Sequence, residues 1–406
     1  MNSKIFKLKR RYVRIVTPSG YKISNIEVTP VFVPFIEQVK QAMAESGDGT
    51  GTAIGVEEAW LGVDAAICKV TDNEGNQGIG EIIAWLPETG ISVTQVNSSI
   101  KDHIGKYLIG ESPFNIQGIT AKLDKNFARH EVAKGLLDMC LYDLMGKITQ
   151  RPAYDFMGGC PVDSIPLAAL LPLADPSIVK AFAQMFYKQG YRTFRLKLGK
   201  SISEDLNLIK MMRETFGDKI HLRVDYNQAY STYDAIRAIK AIEPFEIDFA
   251  EQPVDKDNYL AMQYVQKHIQ TPLMSHEGCF SVNEYTMLAE MNAVRVFGIN
   301  TERPGGITKG LKVMDYAAMR GLGIVLHSQP LGISSAIHTH LTAARYHQID
   351  YATELFGYIM IEDDLIEEPL NYHDGRVDIP HGPGWGIMLD EKSLRKYATG
   401  PTITIN

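Results

Sequence analysis

Cysteine is scarce in this chain and carries no pattern. The 406 residues hold four, Cys68, Cys140, Cys160 and Cys279, with no CxxC spacing. That usage fits reduced thiols in a cytoplasm better than a disulfide framework. No apolar run reaches the roughly 20 residues needed to span a bilayer. Positive charge is not in excess either. The net charge of −7 argues against a nucleic-acid binder that relies on a broad basic surface. The N-terminus carries Lys4, Lys7, Lys9, Arg10 and Arg11, but no apolar core of a signal peptide follows. The run reads as a solvated strand edge or tail, and the expected location is the cytoplasm. What remains is ordinary for a globular enzyme: 45% apolar and 22% charged residues, in a length that fits one very large domain or two.

The first third reads as strands followed by helices. Residues 11–35 alternate through Tyr12, Val13, Ile15, Ile23, Ile26, Val28, Val31 and Val33, with a turn at Pro18-Ser19-Gly20. Residues 45–55 are rich in glycine and poor in bulk, the composition of a mobile loop. A strand pattern resumes over 59–71, turns at Asp72-Asn73-Glu74-Gly75-Asn76, and returns through Gly78-Ile79-Gly80-Glu81-Ile82. Residues 95–150 have helical period.

From Ile165 strand-like and helical runs alternate. Strands are expected near 165–171, 193–199, 221–226, 247–251, 273–277, 293–300, 323–328 and 351–355. Ser203 is the expected N-cap of the clearest helix, and Ser281 with Glu284 forms a capping box. About eight strand–helix repeats indicate a closed parallel barrel. An open doubly wound sheet is the alternative, but it would gather its polar residues at one crevice. Here they recur at every strand end: Lys197, Asp225, Glu251, Glu277, Asn300, His327 and Glu354, with the three carboxylates 26 residues apart. Such strand ends are where a barrel of this kind carries its active site.

Asp225, Glu251 and Glu277, converging on one axis, would repel strongly without a cation. An all-oxygen donor set favours Mg2+. Arg195 and Lys197, two apart on one strand, point to the same face. Arg195 stays protonated and cannot act as a base. That leaves Lys197 and His327 as proton carriers on either side of the carboxylates, suited to removing the proton α to a metal-bound carboxylate.

These residues resemble the enolase superfamily and, within it, the mandelate racemase and muconate lactonizing enzyme branch. The likeness runs through Val224-Asp225-Tyr226-Asn227-Gln228, Ala250-Glu251-Gln252-Pro253, Gly305-Gly306-Ile307-Thr308, Leu136 with Asp138, Asp143, Leu144, Gly146 and Lys147 before Gly158-Gly159, and Gly382-Pro383-Gly384-Trp385-Gly386. It implies an N-terminal α+β capping domain over residues 1–135. A modified (β/α)7β TIM-type barrel would fill 136–375, and a segment over 376–406 would return to the cap. The stretch 45–55 would form the capping loop over the substrate. The resemblance implies Asp225, Glu251 and Glu277 as Mg2+ ligands and Lys197 as the second lysine of a KxK base motif, with Arg195 in place of the first. It implies His327 as the histidine of a His–Asp dyad and Glu354 as a contact to the substrate carboxylate. Asn227 and His276 are further candidate substrate contacts.

Two departures stand out. Asn300 occupies the position of the dyad Asp or of a Lys base. It can orient the His327 imidazole but brings no charge, which weakens a symmetric two-base racemase and removes a lysine base there. His276 stands where the lactonizing branch often has Asp. The expected activity is Mg2+-dependent abstraction of a proton α to a carboxylate, with dehydration of a sugar acid as the first reading. Racemisation, epimerisation or cycloisomerisation of a small carboxylate is the alternative, and a non-catalytic metal- and carboxylate-binding homologue is a third. No nucleic-acid or membrane partner is expected, and a symmetric homo-oligomer is.

Overall fold

The computed structural model describes residues 20–45, 60–327 and 330–406. The basic N-terminal run, the strand expected before residue 20 and nearly all of the glycine-rich stretch 45–55 lie outside these residues. Among the described residues no helix is long and apolar enough to cross a membrane.

The N-terminal part is an antiparallel sheet of β1 (Ile23–Pro34), β2 (Gly62–Asp72) and β3 (Gln77–Ile83), with the C-terminal strand Ile403–Ile405 on the free edge of β1. The hairpin at 72–76 closes because the Asp72 carboxylate accepts from the backbone N–H groups of Glu74 and Asn76, each at 2.9 Å. The sheet buries one face under the helix Glu131–Thr149. The approach is close: a Cβ on Gly78 would lie 2.2 Å from the Cys140 carbonyl oxygen. Two buried carboxylates lie on this helix, Asp138 and Asp143, and each binds backbone elsewhere. Asp143 accepts from Ile79 N and Trp385 N, both at 2.7 Å, tying the C-terminal segment to the sheet. Asp138 accepts from Thr308 N at 2.9 Å and so caps the helix Ile307–Arg320. Gly306 has φ of 94°, and a Cβ there would meet Asp138 Oδ2 at 2.5 Å.

The remainder opens with β4 (Ser164–Pro166), then forms a curled parallel sheet of seven strands: β5 (Ala168–Leu170), β6 (Thr193–Lys197), β7 (His221–Asp225), β8 (Ala250–Glu251), β9 (Leu273–Ser275), β10 (Val296–Ile299) and β11 (Gly323–Leu326), adjacent in that order. The expected eighth strand at 351–355 is reduced to one parallel bridge, Leu167 to Thr353. Ala168 N donates to Thr353 O at 2.8 Å and Glu354 N to Leu326 O at 3.4 Å, so this short segment closes the barrel between β11 and β5. The fold is therefore a TIM-type barrel with an N-terminal α+β unit. The helix after β6 is capped by Ser201 rather than Ser203. Ser201 Oγ accepts from Glu204 N, and Asp205 turns inward to accept from Gly199 N at 2.9 Å and Tyr230 OH at 2.6 Å. Ser281 caps the helix Val282–Glu290, but the Glu284 carboxylate reaches Phe280 N rather than that of Ser281.

Glu81 on β3 joins the two parts. It is fully buried and accepts from Ser334 N at 3.1 Å and Ser334 Oγ at 2.5 Å, at the start of the helix Gly332–Ala344. Burial pushes its pKa from 4.5 up to about 8, against the opposing Ser334 bonds. A folded-state pKa above the unfolded value means stability that is full below pH 4.5 and lost as pH rises through 8. The swing is on the order of 5 kcal/mol. Urea unfolding should show stability falling from pH 5 to 8 in the parent chain and a flatter profile in Glu81→Gln. An equal fall in both would contradict this account.

Candidate active site

Strand register sets the first row of the site. Lys197 pairs with Asp225, and Asp225 with Glu251, across β6, β7 and β8. Side chains at matching register positions of parallel strands share a face, so one cation and two carboxylates lie side by side in the barrel mouth. The chain turns sharply after β7 and β8, with positive φ at Asn227, Gln228 and Gln252. The first turn fixes Asp225, whose Oδ1 accepts from Asn227 N at 2.9 Å.

Arg195, two residues below Lys197, lies under this row. Its Nη2 donates to Asp225 Oδ2 and, at 2.7 Å, to Glu251 Oε1, while Nη1 donates to Glu354 Oε2 at 3.1 Å. Lys197 Nζ is held at 2.6 Å from both Asp225 Oδ2 and Asn227 Oδ1. Burial pushes the Asp225 carboxyl up, but Arg195 and Lys197 outweigh it and hold it below the usual range. Burial raises Glu251 well above that range, and the Asp225 and Glu354 charges add to the rise against Arg195.

The other wall comes from β9, β10 and β11. His276 follows β9; its Nδ1 is 3.4 Å from Glu251 Oε1 and 3.5 Å from Glu277 Oε2. Glu277 Oε1 accepts from Gln228 Nε2 at 3.1 Å. His327, after β11, stacks on His276 with ring centroids 3.6 Å apart. Its Nε2 is 3.0 Å from Glu251 Oε1 but buried without a hydrogen bond. Burial, then the charges of His276 and three arginines, lower the His327 pKa well below 6.5.

Two expected partnerships differ. Asn300 does not orient His327; its Oδ1 lies 3.0 Å from His276 Nε2 and accepts from Arg303 Nη2 at 2.6 Å. Glu354 does not present a free carboxylate. Its second oxygen accepts from Arg223 Nη2 at 2.5 Å, so both oxygens are taken by arginines. Sequence reasoning passed over Arg223, Arg303 and Glu88. Arg223 had a signal, since it sits two before Asp225 on the same inward face. Glu88, in the short helix Leu86–Thr89, had none; it accepts from Arg303 Nη2 at 2.7 Å.

The carboxylates suit a divalent cation. Glu251 Oε2 and Glu277 Oε2 are buried and without partners, and a dication relieves both the lost hydration and the mutual repulsion.

Residues 178–393 match the model of the enolase C-terminal domain-like family, and residues 61–158 match the N-terminal domain of mandelate racemase and muconate lactonizing enzyme. The chain belongs to this family of the enolase superfamily. Enzymes of the superfamily use Mg2+. A hydrophobic dipeptide epimerase from Enterococcus faecalis is 32% identical over 286 residues, covering 70% of this chain and 80% of that protein. An N-succinyl-L-Arg/Lys racemase from Bacillus cereus is 29% identical over 332 residues, covering 81% and 89%. Among solved structures, muconate lactonizing enzyme from Pseudomonas putida superposes with a TM-score of 0.83 at 26% identity, covering 93% of this chain and 99% of that one. These relatives are a racemase, an epimerase and a cycloisomerase, and they favour isomerase chemistry over the sugar-acid dehydration first expected.

Proposed function

We propose that this chain is a racemase or epimerase that moves the proton α to the carboxylate of a small substrate. The observation that carries the reading is the pair of proton carriers on one carboxylate cluster. Lys197 Nζ reaches Asp225 from β6, and the unpartnered His327 Nε2 reaches the neighbouring Glu251 from the end of β11. The second and seventh strands approach the axis from different sides, so the two nitrogens address different faces of a substrate between them. Asp225, Glu251 and Glu277 are the carboxylates that would hold the divalent cation. When bound, it supplies stabilisation of the negative charge that builds on the substrate carboxylate.

In one direction the neutral His327, with Nε2 free of a hydrogen bond, removes the α-proton and the Lys197 ammonium delivers one to the opposite face; in the other, Lys197 having given up its proton, the amine removes the α-proton and the imidazolium left on His327 delivers one. Asn227 Oδ1 and Asp225 Oδ2 hold the ammonium nitrogen in place, and the stacked His276 ring holds the His327 plane. Glu354 acts as a positioning residue through Arg195 and Arg223. The names of the relatives point to N-acylated amino acids and dipeptides as the first compounds to try. Such a panel, incubated with the protein and Mg2+ and followed by chiral chromatography, should show inversion at the α-carbon with no change of mass. A product lighter by one water, or a ring-closed isomer, would overturn the reading in favour of dehydration or cycloisomerisation. No conversion by metal-loaded protein across the panel would count for a non-catalytic binder.

A further inference from the structure

We infer that His338 is a positioning residue for His327. Through the Thr353 hydroxyl it fixes the end of β11, and with it the nitrogen that serves one face of the substrate. The inference deepens the racemase or epimerase reading and rests on it.

The segment that closes the barrel has few backbone ties. One parallel bridge, Leu167 to Thr353, joins it to the β5 side. On the β11 side Glu354 N reaches Leu326 O only at 3.4 Å. A side chain makes up the difference: Thr353 Oγ1 donates to the same Leu326 O at 3.0 Å. A carbonyl only accepts, so this bond uses the one hydrogen of the hydroxyl. The hydroxyl oxygen also meets His338 Nε2, and there it accepts. The bonds therefore run from His338 Nε2–H to the Thr353 hydroxyl to Leu326 O, and end one residue before His327. The His327 carbonyl also acts on the His338 ring, where it favours a proton. Burial outweighs it and pushes the His338 pKa down from 6.5 to about 3, so the ring is neutral with one proton. With that proton on Nε2, Nδ1 is bare, and it makes no hydrogen bond.

His338 and Thr353 are both buried, so bulk water does not replace a bond lost between them. The ring is anchored in turn by the helix Gly332–Ala344, whose Ser334, one turn earlier, is held by Glu81. His327 depends on this backing more than its neighbours do. Its N–H donates to Ile299 O at 2.8 Å and its ring stacks on His276, but Nε2 makes no hydrogen bond. Lys197, by contrast, is held at its own nitrogen by Asp225 and Asn227. Glu354, next to Thr353, is held through its carboxylate by Arg195 and Arg223, and Arg223 Nη1 donates to Ala352 O at 2.8 Å. Loss of the hydroxyl or of the imidazole should therefore displace His327 and leave Lys197 in place.

The test separates the two faces. Thr353→Val keeps the shape and removes the hydroxyl; His338→Leu removes the donor behind it. Proton NMR in D2O with Mg2+ follows α-deuterium exchange from each enantiomer of the N-acyl amino acids in the panel above. For the enantiomer whose proton His327 removes, kcat for exchange should fall about tenfold or more with KM unchanged. For the enantiomer served by Lys197 it should change by less than about twofold. Thr353→Ser and His338→Gln keep a hydroxyl and an N–H donor and should recover most of the loss. Amide hydrogen exchange without substrate should be about tenfold faster at His327 and Glu354 in Thr353→Val and His338→Leu, and unchanged on β6. An equal fall for both enantiomers, no fall for either, or unaltered amide exchange would overturn the inference. Failure of the isomerase reading shows separately, as a parent chain that exchanges neither enantiomer; amide exchange then decides alone whether His338 and Thr353 hold His327. Thr353→Val is nearly isosteric, so the test stands even where His338→Leu fails to fold.

Discussion

Lys197→Ala is expected to abolish inversion and to lower α-deuterium exchange from one enantiomer of the substrate by about 10³-fold, the scale of a positioned acid–base group. Exchange from the other enantiomer should survive, because His327 Nε2 still stands beside Glu251 without a competing hydrogen bond. His327→Asn should show the mirror-image result. Metal binding should persist in Lys197→Ala, since Asp225 keeps its bonds to Arg195 and to Asn227 N, and Glu251 and Glu277 do not touch the lysine. Proton NMR in D2O with each enantiomer in turn, beside a calorimetric metal titration, checks both statements. If the two variants lost exchange from the same enantiomer, the carriers would share one face and two-sided proton transfer would be excluded.

Removing Arg195 should cost stability on a scale few single substitutions reach. Its guanidinium is the common partner of Asp225, Glu251 and Glu354, all of them buried. Burial alone would draw protons off this arginine, but the surrounding carboxylates raise its pKa far more than burial lowers it. Arg195→Met keeps the bulk, removes the charge and leaves Asp225 paired with Lys197, Glu354 with Arg223, and Glu251 with neither a lysine nor an arginine. Breaking buried pairs in this way costs about 3–5 kcal/mol. A divalent cation binds only the folded site and should restore part of the loss by mass action. Urea unfolding with and without metal reads both effects. A loss under about 1 kcal/mol, unaffected by metal, would show that Arg195 is not what holds the carboxylates together.

The site was legible in the sequence as far as local periodicity reaches. A strand, a helix and two loops repeat at nearly constant length, so the interval of 26 residues carried Asp225, Glu251 and Glu277 to successive strand ends. The two-residue period of a strand put Arg195 beneath Lys197, where the structure has it. Contacts between distant strands were not legible. The sequence paired Asn300 with His327. The structure turns it to His276, because the two imidazoles stack and Arg303 fills the space behind them. Glu354 was expected free for the substrate, since nothing local shows that Arg195 and Arg223 both reach it. Glu88 comes from the N-terminal unit, far from the barrel motifs, and only folding brings it to Arg303. The eighth strand is shorter than its sequence pattern predicts because the backbone of Thr353 and Glu354 is enough to close the barrel.

The central claim is proton transfer at an α-carbon with no other bond broken. It is tested most directly by incubating one enantiomer of an N-acyl amino acid or dipeptide with the metal-loaded protein in D2O. Mass and handedness of the product are then read together. The account predicts the opposite enantiomer carrying one deuterium at the α-carbon on an unchanged skeleton. A product that has lost water, or one inverted without deuterium, would contradict it.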